Sequence, residues 1–213
     1  MKIAICLPTR DMVHAGFAFD LANMVGNFTA SGKGQVNILH SNGTLIADQR
    51  VDLANMALTQ GADWLLWLDT DMRFPKDALS RLLAHEKPIV GCNYSQRVVP
   101  PKPTAHNAVG NGEFSNVWTN PDSTGLEQVD FLGFGCILTK ADVFKKMEKP
   151  WFHLGYSTKN YKFIGEDVYF CLNAAKAGFP VLLDHDLSKE IGHIGSFEFR
   201  HEHTYIVADE RAS

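Results

Sequence analysis

The feature that most constrains this chain is a short apolar run that ends in two acidic residues. Residues Trp64 to Leu68 are five consecutive large apolar residues, which predicts a strand buried on both faces. Asp69 and Asp71 follow, and in an extended chain residues i and i+2 point to the same side. The two carboxylates are therefore expected to converge at the carboxyl end of a buried strand, where α/β sheets usually bind ligands.

Two carboxylates at one spot repel each other unless a cation lies between them. Carboxylate oxygens are the preferred ligands of hard divalent ions, so Asp69 and Asp71 predict a Mg²⁺ or Mn²⁺ site. A turn leading to Pro75 is the alternative, because aspartate side chains also hydrogen-bond the backbone of turns. The context of the two residues has to decide between a metal site and a turn.

Extended and helical patterns alternate in the first part of the chain. The predicted elements are a strand at 2–7, a helix at 12–28, a strand at 35–40, a helix at 45–60 capped by Gly61, and the apolar strand at 64–68. On the second helix, we expect Ile46, Leu53, Met56 and Ala57 to face inward. Short connections in such an alternation predict parallel strands with right-handed crossovers.

The later segments extend this α/β pattern. Further strands are predicted at 89–94, 128–139 and 180–183, and helices at 76–85, 141–147 and 165–178. Residues 95–125 are rich in proline and in Asn-Gly and Asn-Pro pairs, which is typical of a binding loop or of a disordered segment. Gly133 and Gly135 suggest that another group approaches the backbone closely. We therefore expect an α/β fold with a mainly parallel central sheet flanked by helices.

Composition narrows the class of protein. The chain has 213 residues, 45% hydrophobic and 21% charged, which suits one substantial core and one domain. Its net charge of −4 gives no general attraction to nucleic acid or anionic membranes. Without a long apolar run or a signal-like N-terminus, we expect a soluble cytoplasmic protein with no membrane insertion. The four scattered cysteines predict buried free thiols.

Two more polar clusters lie at the ends of predicted elements. Glu166 and Asp167 begin a helix after Gly165, and His193 lies in a short glycine-containing run. Each has a structural explanation, since acids complement a helix dipole and an isolated histidine is often structural. The occurrence of all these polar clusters in one chain, whose first part alternates strands and helices, favours a shared functional site.

The order of these motifs resembles that of the nucleotide-sugar-dependent glycosyltransferases of the GT-A fold. The run 165–195 is particularly similar to polypeptide N-acetylgalactosaminyltransferases, in which a Gly-Glu-Asn helix precedes a Val-Gly-His metal ligand. Asp167 replaces that Asn and is closer to the Glu-Asp motif of inverting members, so the stereochemical outcome stays open. The resemblance is carried by Leu68-Asp69-Thr70-Asp71, by Gly165-Glu166-Asp167 and by Ile191-Gly192-His193.

The resemblance implies a fold, an activity and a cofactor. The fold is a single GT-A type, Rossmann-like domain over 1–213, with the tail 196–213 outside the resemblance. The implied enzyme is a glycosyltransferase that moves a sugar from a nucleotide-diphospho-sugar, expected to be a UDP-sugar, to an acceptor hydroxyl. Mn²⁺ or Mg²⁺ would be held by Asp69, Asp71 and His193, and Asp167 with neighbouring Glu166 would supply the catalytic base.

The resemblance also implies contacts to the donor, and other sequence features suggest contacts to the acceptor. The donor-binding residues are Pro8, Thr9, Arg10, Arg50, Asp69 and Thr70. The candidate acceptor-binding residues are Arg97, Gly133, Phe134 and Gly135. For Arg50, a solvated helix face is an equally good explanation. The acceptor itself stays open among a glycan, a protein, a small molecule and a modified DNA base.

Two other functions use similar residues. A nucleotidyltransferase shares the α/β architecture and a metal-bound diphosphate, but it normally has a glycine-rich loop after the first strand. The loop Pro8-Thr9-Arg10-Asp11-Met12 is not glycine-rich. A non-catalytic nucleotide-sugar binding module is the second alternative, and the intact acidic residues and His193 count against it.

Overall fold

The computed structural model describes residues 1–110, 113–158, 161–195 and 198–201. The first five elements alternate as predicted, and they are β1 (Lys2–Thr9), α1 (Ala15–Ala30), β2 (Gln35–Asn42), α2 (Ile46–Thr59) and β3 (Trp64–Leu68). Strand β1 pairs in parallel with both β2 and β3, and every residue of β3 is buried. The predicted parallel half of the fold is therefore confirmed.

The second part of the chain is more broken than the first. Its elements are β4 (Met72–Arg73), α3 (Ala78–Ala84), β5 (Ile89–Gly91), β6 (His106–Gly110), β7 (Glu113–Asn116), β8 (Leu126–Val129), β9 (Cys136–Lys140), α4 (Ala141–Lys146), β10 (Gly155–Ser157), β11 (Lys162–Ile164), α5 (Glu166–Lys176), β12 (Val181–Asp184), α6 (His185–Ser188), β13 (Gly192–Ile194) and β14 (Glu198–Arg200). The C-terminal tail at 196–213, which was predicted to lie outside the resemblance, falls mostly outside the described residues.

Within the described residues, seven strands form a mixed central sheet in the order β2-β1-β3-β9-β5-β12-β8. Strand β9 runs antiparallel between β3 and β5, and β8 is antiparallel to β12 at the edge. Strands β5 and β12 are parallel to each other. The sheet is thus less parallel than predicted, because β9 begins beside the carboxyl end of β3 and runs back along it.

The predicted single strand at 128–139 is wrong. Strands β8 and β9 are separate, and the glycine-containing loop between them carries the chain from the edge of the sheet to its middle. An apolar pattern extends across this loop because Phe131, Leu132 and Phe134 are buried without being in a strand. The apolar residues of this segment therefore indicated that it is buried, but they did not indicate a strand.

Helices cover both faces of the sheet, and β3 separates the two layers. Leu65 and Trp67 pack in one cluster with residues of α2, α4 and α5. Leu66 packs in the other cluster with residues of α1 and α3. This follows from the alternation of side chains along a strand. The predicted inward face of α2 holds for Leu53 and Ala57 and is wrong for Met56, which is 39% exposed.

Two further predictions from the sequence concern the state of the cysteines and the presence of membrane-spanning helices. All four cysteines are buried and free, as predicted, and burial raises the pKa of Cys171 to about 12. No helix in the described part of the chain has the length and apolar character needed to cross a membrane.

Candidate functional site

The carboxyl ends of β1 and β3 open into a cleft of about 520 Å³. It contains the predicted donor loop and the three predicted metal ligands. Its lining residues are Pro8, Thr9, Arg10, Met12, His14, Thr44, Ile46, Gln49, Asp69, Thr70, Asp71, Arg97 and His193. The structure therefore brings together residues from five separate parts of the sequence at the predicted edge of the sheet.

A tight turn after β3 sets the position of the two aspartates. The backbone N–H of Met72 donates to the carbonyl of Asp69 at 3.2 Å, which closes the turn. Strand β4 then pairs with β13, with Met72 opposite His193. The N–H of Ile194 also donates to the carbonyl of Asp71 at 2.8 Å. This small sheet brings His193 beside Asp71, so the turn and the candidate metal site coexist.

The imidazole of His193 is oriented by a backbone group. Its Nδ1 lies 2.8 Å from the carbonyl oxygen of Ser95. Because a carbonyl only accepts hydrogen bonds, Nδ1 carries a hydrogen, and Nε2 is the nitrogen that faces Asp71. That Nε2 lies 3.5 Å from Oδ2 of Asp71, and the ring of Tyr94 packs edge to face at 5.3 Å. Metal-binding histidines are commonly anchored in this way.

Asp71 is ionised in this environment. Burial by itself raises the pKa of Asp71, but His193 and Arg97 outweigh that effect and hold the pKa below its ordinary value. The Arg97 Nη1 atom lies 2.8 Å from Oδ2 of Asp71. Arg97 was predicted to contact the acceptor, and the structure places it in the cleft with the predicted donor residues.

Asp71 and His193 are the residues of the cleft that could hold a divalent cation together. The carboxylate of Asp71 and Nε2 of His193 face each other and are both suitable ligands. Among the residues that the structure describes, no group of three or more His, Cys, Asp or Glu side chains is arranged to enclose a metal. Mg²⁺ sites often use only one or two carboxylates together with substrate phosphates and waters. Asp71 and His193 therefore fit a site that a diphosphate would complete, and Asp69 stays a predicted ligand.

Arg50 does not line the cleft, which corrects its predicted contact with the nucleotide. The residue is only 2% exposed, and its guanidinium lies 5.0 Å from the ring of Phe134. Nη2 donates to Oδ1 of Asp69 at 3.0 Å, and Nη1 donates to Oε1 of Glu166 at 2.5 Å. Arg50 is therefore neither a donor contact nor a solvated helix residue but a buried bridge between two acidic motifs.

Arg50 and Glu166 influence each other's charge. Burial alone lowers the pKa of Arg50, but Asp69 and Glu166 more than offset this and raise it. Burial raises the pKa of Glu166, and Arg50 opposes that shift. The Glu166 carboxylate is thus held by an internal cation, which leaves it poorly placed to contact a substrate.

Asp167 lies in a different setting from Glu166. Its Oδ1 accepts a hydrogen bond from the backbone N–H of Val168 at 2.7 Å, at the start of α5. Asp167 is partly exposed and lines a second cavity of about 240 Å³. Of the two predicted catalytic acids, Asp167 is the one whose carboxylate borders a space for a ligand.

The close approach predicted at Gly133 and Gly135 is made by Tyr94 of the same chain. A Cβ atom at Gly133 would lie 2.6 Å from the Tyr94 hydroxyl, and one at Gly135 would lie 2.7 Å from its ring. The N–H of Gly135 also donates to that hydroxyl at 3.0 Å. Phe134 is 1% exposed and packs in the core, so its side chain cannot contact an acceptor in this conformation.

Two site residues were missed by the sequence patterns. Gln49 is buried and donates to the carbonyls of Thr9 and Ser41 at 2.6 and 2.5 Å, which ties together the ends of β1 and β2. Its only signal was a polar residue beside Arg50 on the inward face of α2. Ser95 acts through its backbone carbonyl, so its side chain carried no signal for this role.

Comparisons with known proteins inform the fold alone. No protein-family model matches the chain, and no curated protein matches it. Among solved structures, the chain is similar to A197 from STIV, with a TM-score of 0.57 and 16% identity over 92% of this chain and 86% of that chain. This likeness supports a mixed α/β fold with a seven-stranded central sheet flanked by helices.

Proposed function

We propose that this protein is a metal-dependent glycosyltransferase of the GT-A type. It moves a sugar from a nucleotide-diphospho-sugar, expected to be a UDP-sugar, to an acceptor hydroxyl. The observation that carries this proposal is the pairing of Asp71 with the outward nitrogen of His193, 3.5 Å apart, in a cleft at the carboxyl end of β3. Metal-binding histidines commonly donate from one ring nitrogen to a backbone carbonyl and bind the metal with the other.

The cleft suits a nucleoside diphosphate in size and charge. Its volume of about 520 Å³ lies in the usual range for small-molecule sites. Arg10 and Arg97 supply positive charge beside Asp69 and Asp71, and the Pro8-Thr9-Arg10 loop forms one wall. Mn²⁺ or Mg²⁺ held by Asp71 and His193 would stabilise, as a Lewis acid, the charge on the departing diphosphate.

Asp167 is the proposed base. As the acceptor oxygen forms its bond to the anomeric carbon, the hydroxyl proton passes to the Asp167 carboxylate. The bond between that carbon and the diphosphate breaks, and its electron pair leaves with the diphosphate. Arg50 holds Asp69 and Glu166, and Glu166 is the residue before Asp167, so the same side chain braces the donor side and the base.

A thermal-shift screen of nucleotides with and without Mn²⁺ tests the donor site directly. Native-state binding at 100 times the Kd stabilises a protein by about 2.7 kcal/mol. For a chain of this size, that corresponds to a rise in Tm of about 5–10 °C. We expect this rise with UDP and Mn²⁺ together, and a much smaller one with GDP, ADP or UDP alone.

Matched aspartate variants make the screen specific. Asp71→Ala is expected to remove the Mn²⁺-dependent shift, while Asp142→Ala, at an exposed position on α4, keeps it. Absence of a shift with every diphosphate and metal would count against the glycosyltransferase proposal. A shift only with GDP would retain the mechanism and overturn the UDP assignment. Binding of UDP-sugars without release of UDP in the presence of acceptors would indicate a non-catalytic binding module.

A further inference from the structure

The cavity beside Asp167 is lined by both polar and apolar side chains. Its polar lining comes from Gln96, Thr104, His106 and Asp167, and its apolar lining comes mainly from Phe131 and Leu132. At about 240 Å³ it is less than half the volume of the cleft at Asp71. A pocket with an apolar side and several polar groups is suited to a small ring that carries hydroxyl groups.

His106 is one of the polar residues that line this cavity. Its Nδ1 is buried and has no hydrogen-bond partner among the residues of the described ranges. Burial lowers the pKa of His106, and Asp167 and the hydrogen-bonding groups of Asn116 and Ser115 offset this only in part. The ring is therefore neutral at pH 7. A buried polar nitrogen without a partner is costly, so a turn of the ring that brings Nδ1 to a ligand hydroxyl in the cavity would be favourable.

The charge of the lining selects among ligands. Asp167 contributes a carboxylate, and none of the described residues that line this cavity is a lysine or an arginine. A phosphate or carboxylate group on the ligand would meet repulsion from Asp167 without a compensating cation. A neutral hydroxyl can instead donate to the carboxylate while it exchanges a hydrogen bond with the neutral imidazole.

One short segment connects this cavity to the cleft at Asp71. The carbonyl of Ser95 anchors His193, the next residue Gln96 lines the Asp167 cavity, and Arg97 pairs with Asp71. Neighbouring residues of one short segment therefore line the two spaces. A group bound beside Asp167 is close in the fold to the segment that organises the candidate metal site.

These observations deepen the proposed function and rest on it. We propose that the cavity is the acceptor site, that it takes a neutral hydroxylated ring such as a single sugar unit, and that His106 binds the hydroxyl group next to Asp167. In the transfer step, His106 orients the acceptor oxygen, and its proton goes to Asp167 as described above. Acidic sugars and sugar phosphates are excluded as acceptor rings by the carboxylate.

Ligand-observed NMR of the full chain tests the site without relying on turnover. The probes are methyl hexopyranosides, the corresponding uronic acids and the hexose phosphates, each at the same concentration. We expect saturation transfer to one or more neutral glycosides and none to their anionic counterparts. His106→Phe should weaken that binding about 2–10-fold, as expected for one lost hydrogen bond, while His153→Phe, at an exposed position, should not change it.

A wild-type measurement protects the test against a variant that fails to fold. The imidazole resonances of His106 should shift when the neutral glycoside is added and stay unchanged with the matched uronic acid. Equal or stronger binding of the anionic compounds, or undiminished binding to folded His106→Phe, would overturn the proposal. Failure to bind any glycoside while UDP and Mn²⁺ still raise the Tm would also overturn it, and it would leave the proposed donor chemistry intact.

Discussion

Replacement of Arg50 by methionine tests the role that the structure gives to this buried cation. Arg50 lies between Asp69 and Glu166 and is almost completely buried, as is Glu166 at 8% exposure. Methionine keeps much of the side-chain volume and removes the charge. Asp69 retains access to solvent from the cleft, so the main effect is to leave the Glu166 carboxylate buried without its cation.

The expected magnitude follows from the cost of a buried charge that has lost its partner. Removing one member of a buried ion pair typically destabilises a protein by about 3–5 kcal/mol. At about 2–4 °C per kcal/mol for a chain of this size, the Tm of Arg50→Met should fall by about 6–20 °C. An exposed pair contributes only about 0–1 kcal/mol. Arg81→Met is the matched control, because Arg81 and Glu190 are 2.6 Å apart at the surface.

The pH dependence of the loss has a defined sign. Burial raises the pKa of Glu166 above its ordinary value, and without Arg50 only a backbone hydrogen bond opposes this shift. The folded state then binds a proton more readily than the unfolded state, so stability is lost as the pH rises through the raised pKa. We expect Arg50→Met to be more destabilising at pH 8 than at pH 5. The second change Glu166→Gln should restore more than half of the loss at pH 8.

The assay is thermal unfolding at both pH values of the wild type, Arg50→Met, Glu166→Gln and the double variant, analysed as a double-variant cycle, with Arg81→Met as the control. If Arg50→Met lowers the Tm by no more than Arg81→Met does, Arg50 does not stabilise the fold as a buried ion-pair partner. If the addition of Glu166→Gln makes the Arg50→Met protein less stable at pH 8, the unpaired Glu166 carboxylate is not the source of the loss.

Two further predictions concern the chemistry of the site. Asp71→Ala and His193→Ala should each lower Mn²⁺-dependent transfer on the order of 100-fold or more with little change in Tm; a large fall in Tm for His193→Ala would indicate a structural imidazole instead. Asp167→Asn should lower transfer by about 10²–10⁴-fold and leave UDP affinity unchanged, because a base acts in the transition state. Glu166→Gln should retain most activity, and the opposite order of these two variants, measured by release of UDP, would reassign the base.

Local patterns determined the parallel half of the fold. The apolar run at 64–68 predicted β3 with its observed bounds, because five buried positions in a row suit a strand covered on both faces. Gly61 was predicted to end α2, and it has a φ of +70°, a conformation that glycine adopts without strain. Asp69 and Asp71 lie at the cleft because they follow β3 directly, so their place depended on neighbours in the chain.

The arrangement of the site was decided by tertiary structure. Arg50 and Glu166 are 116 positions apart and meet only because α2 and the start of α5 are brought together beside the end of β3. His193 is positioned by the backbone carbonyl of Ser95, 98 positions away, and a carbonyl is present at every residue. Tyr94 occupies the space that Gly133 and Gly135 leave open.

These contacts have a common physical origin. Hydrophobic periodicity and turn chemistry act between residues a few positions apart, so one sequence records them directly. The insertion of β9 between β3 and β5, the burial of Arg50 and the anchoring of His193 each depend on which distant segments pack against one another. The sequence therefore identified the candidate site residues, and the packing decided which of them line a cavity and which hold the others in place.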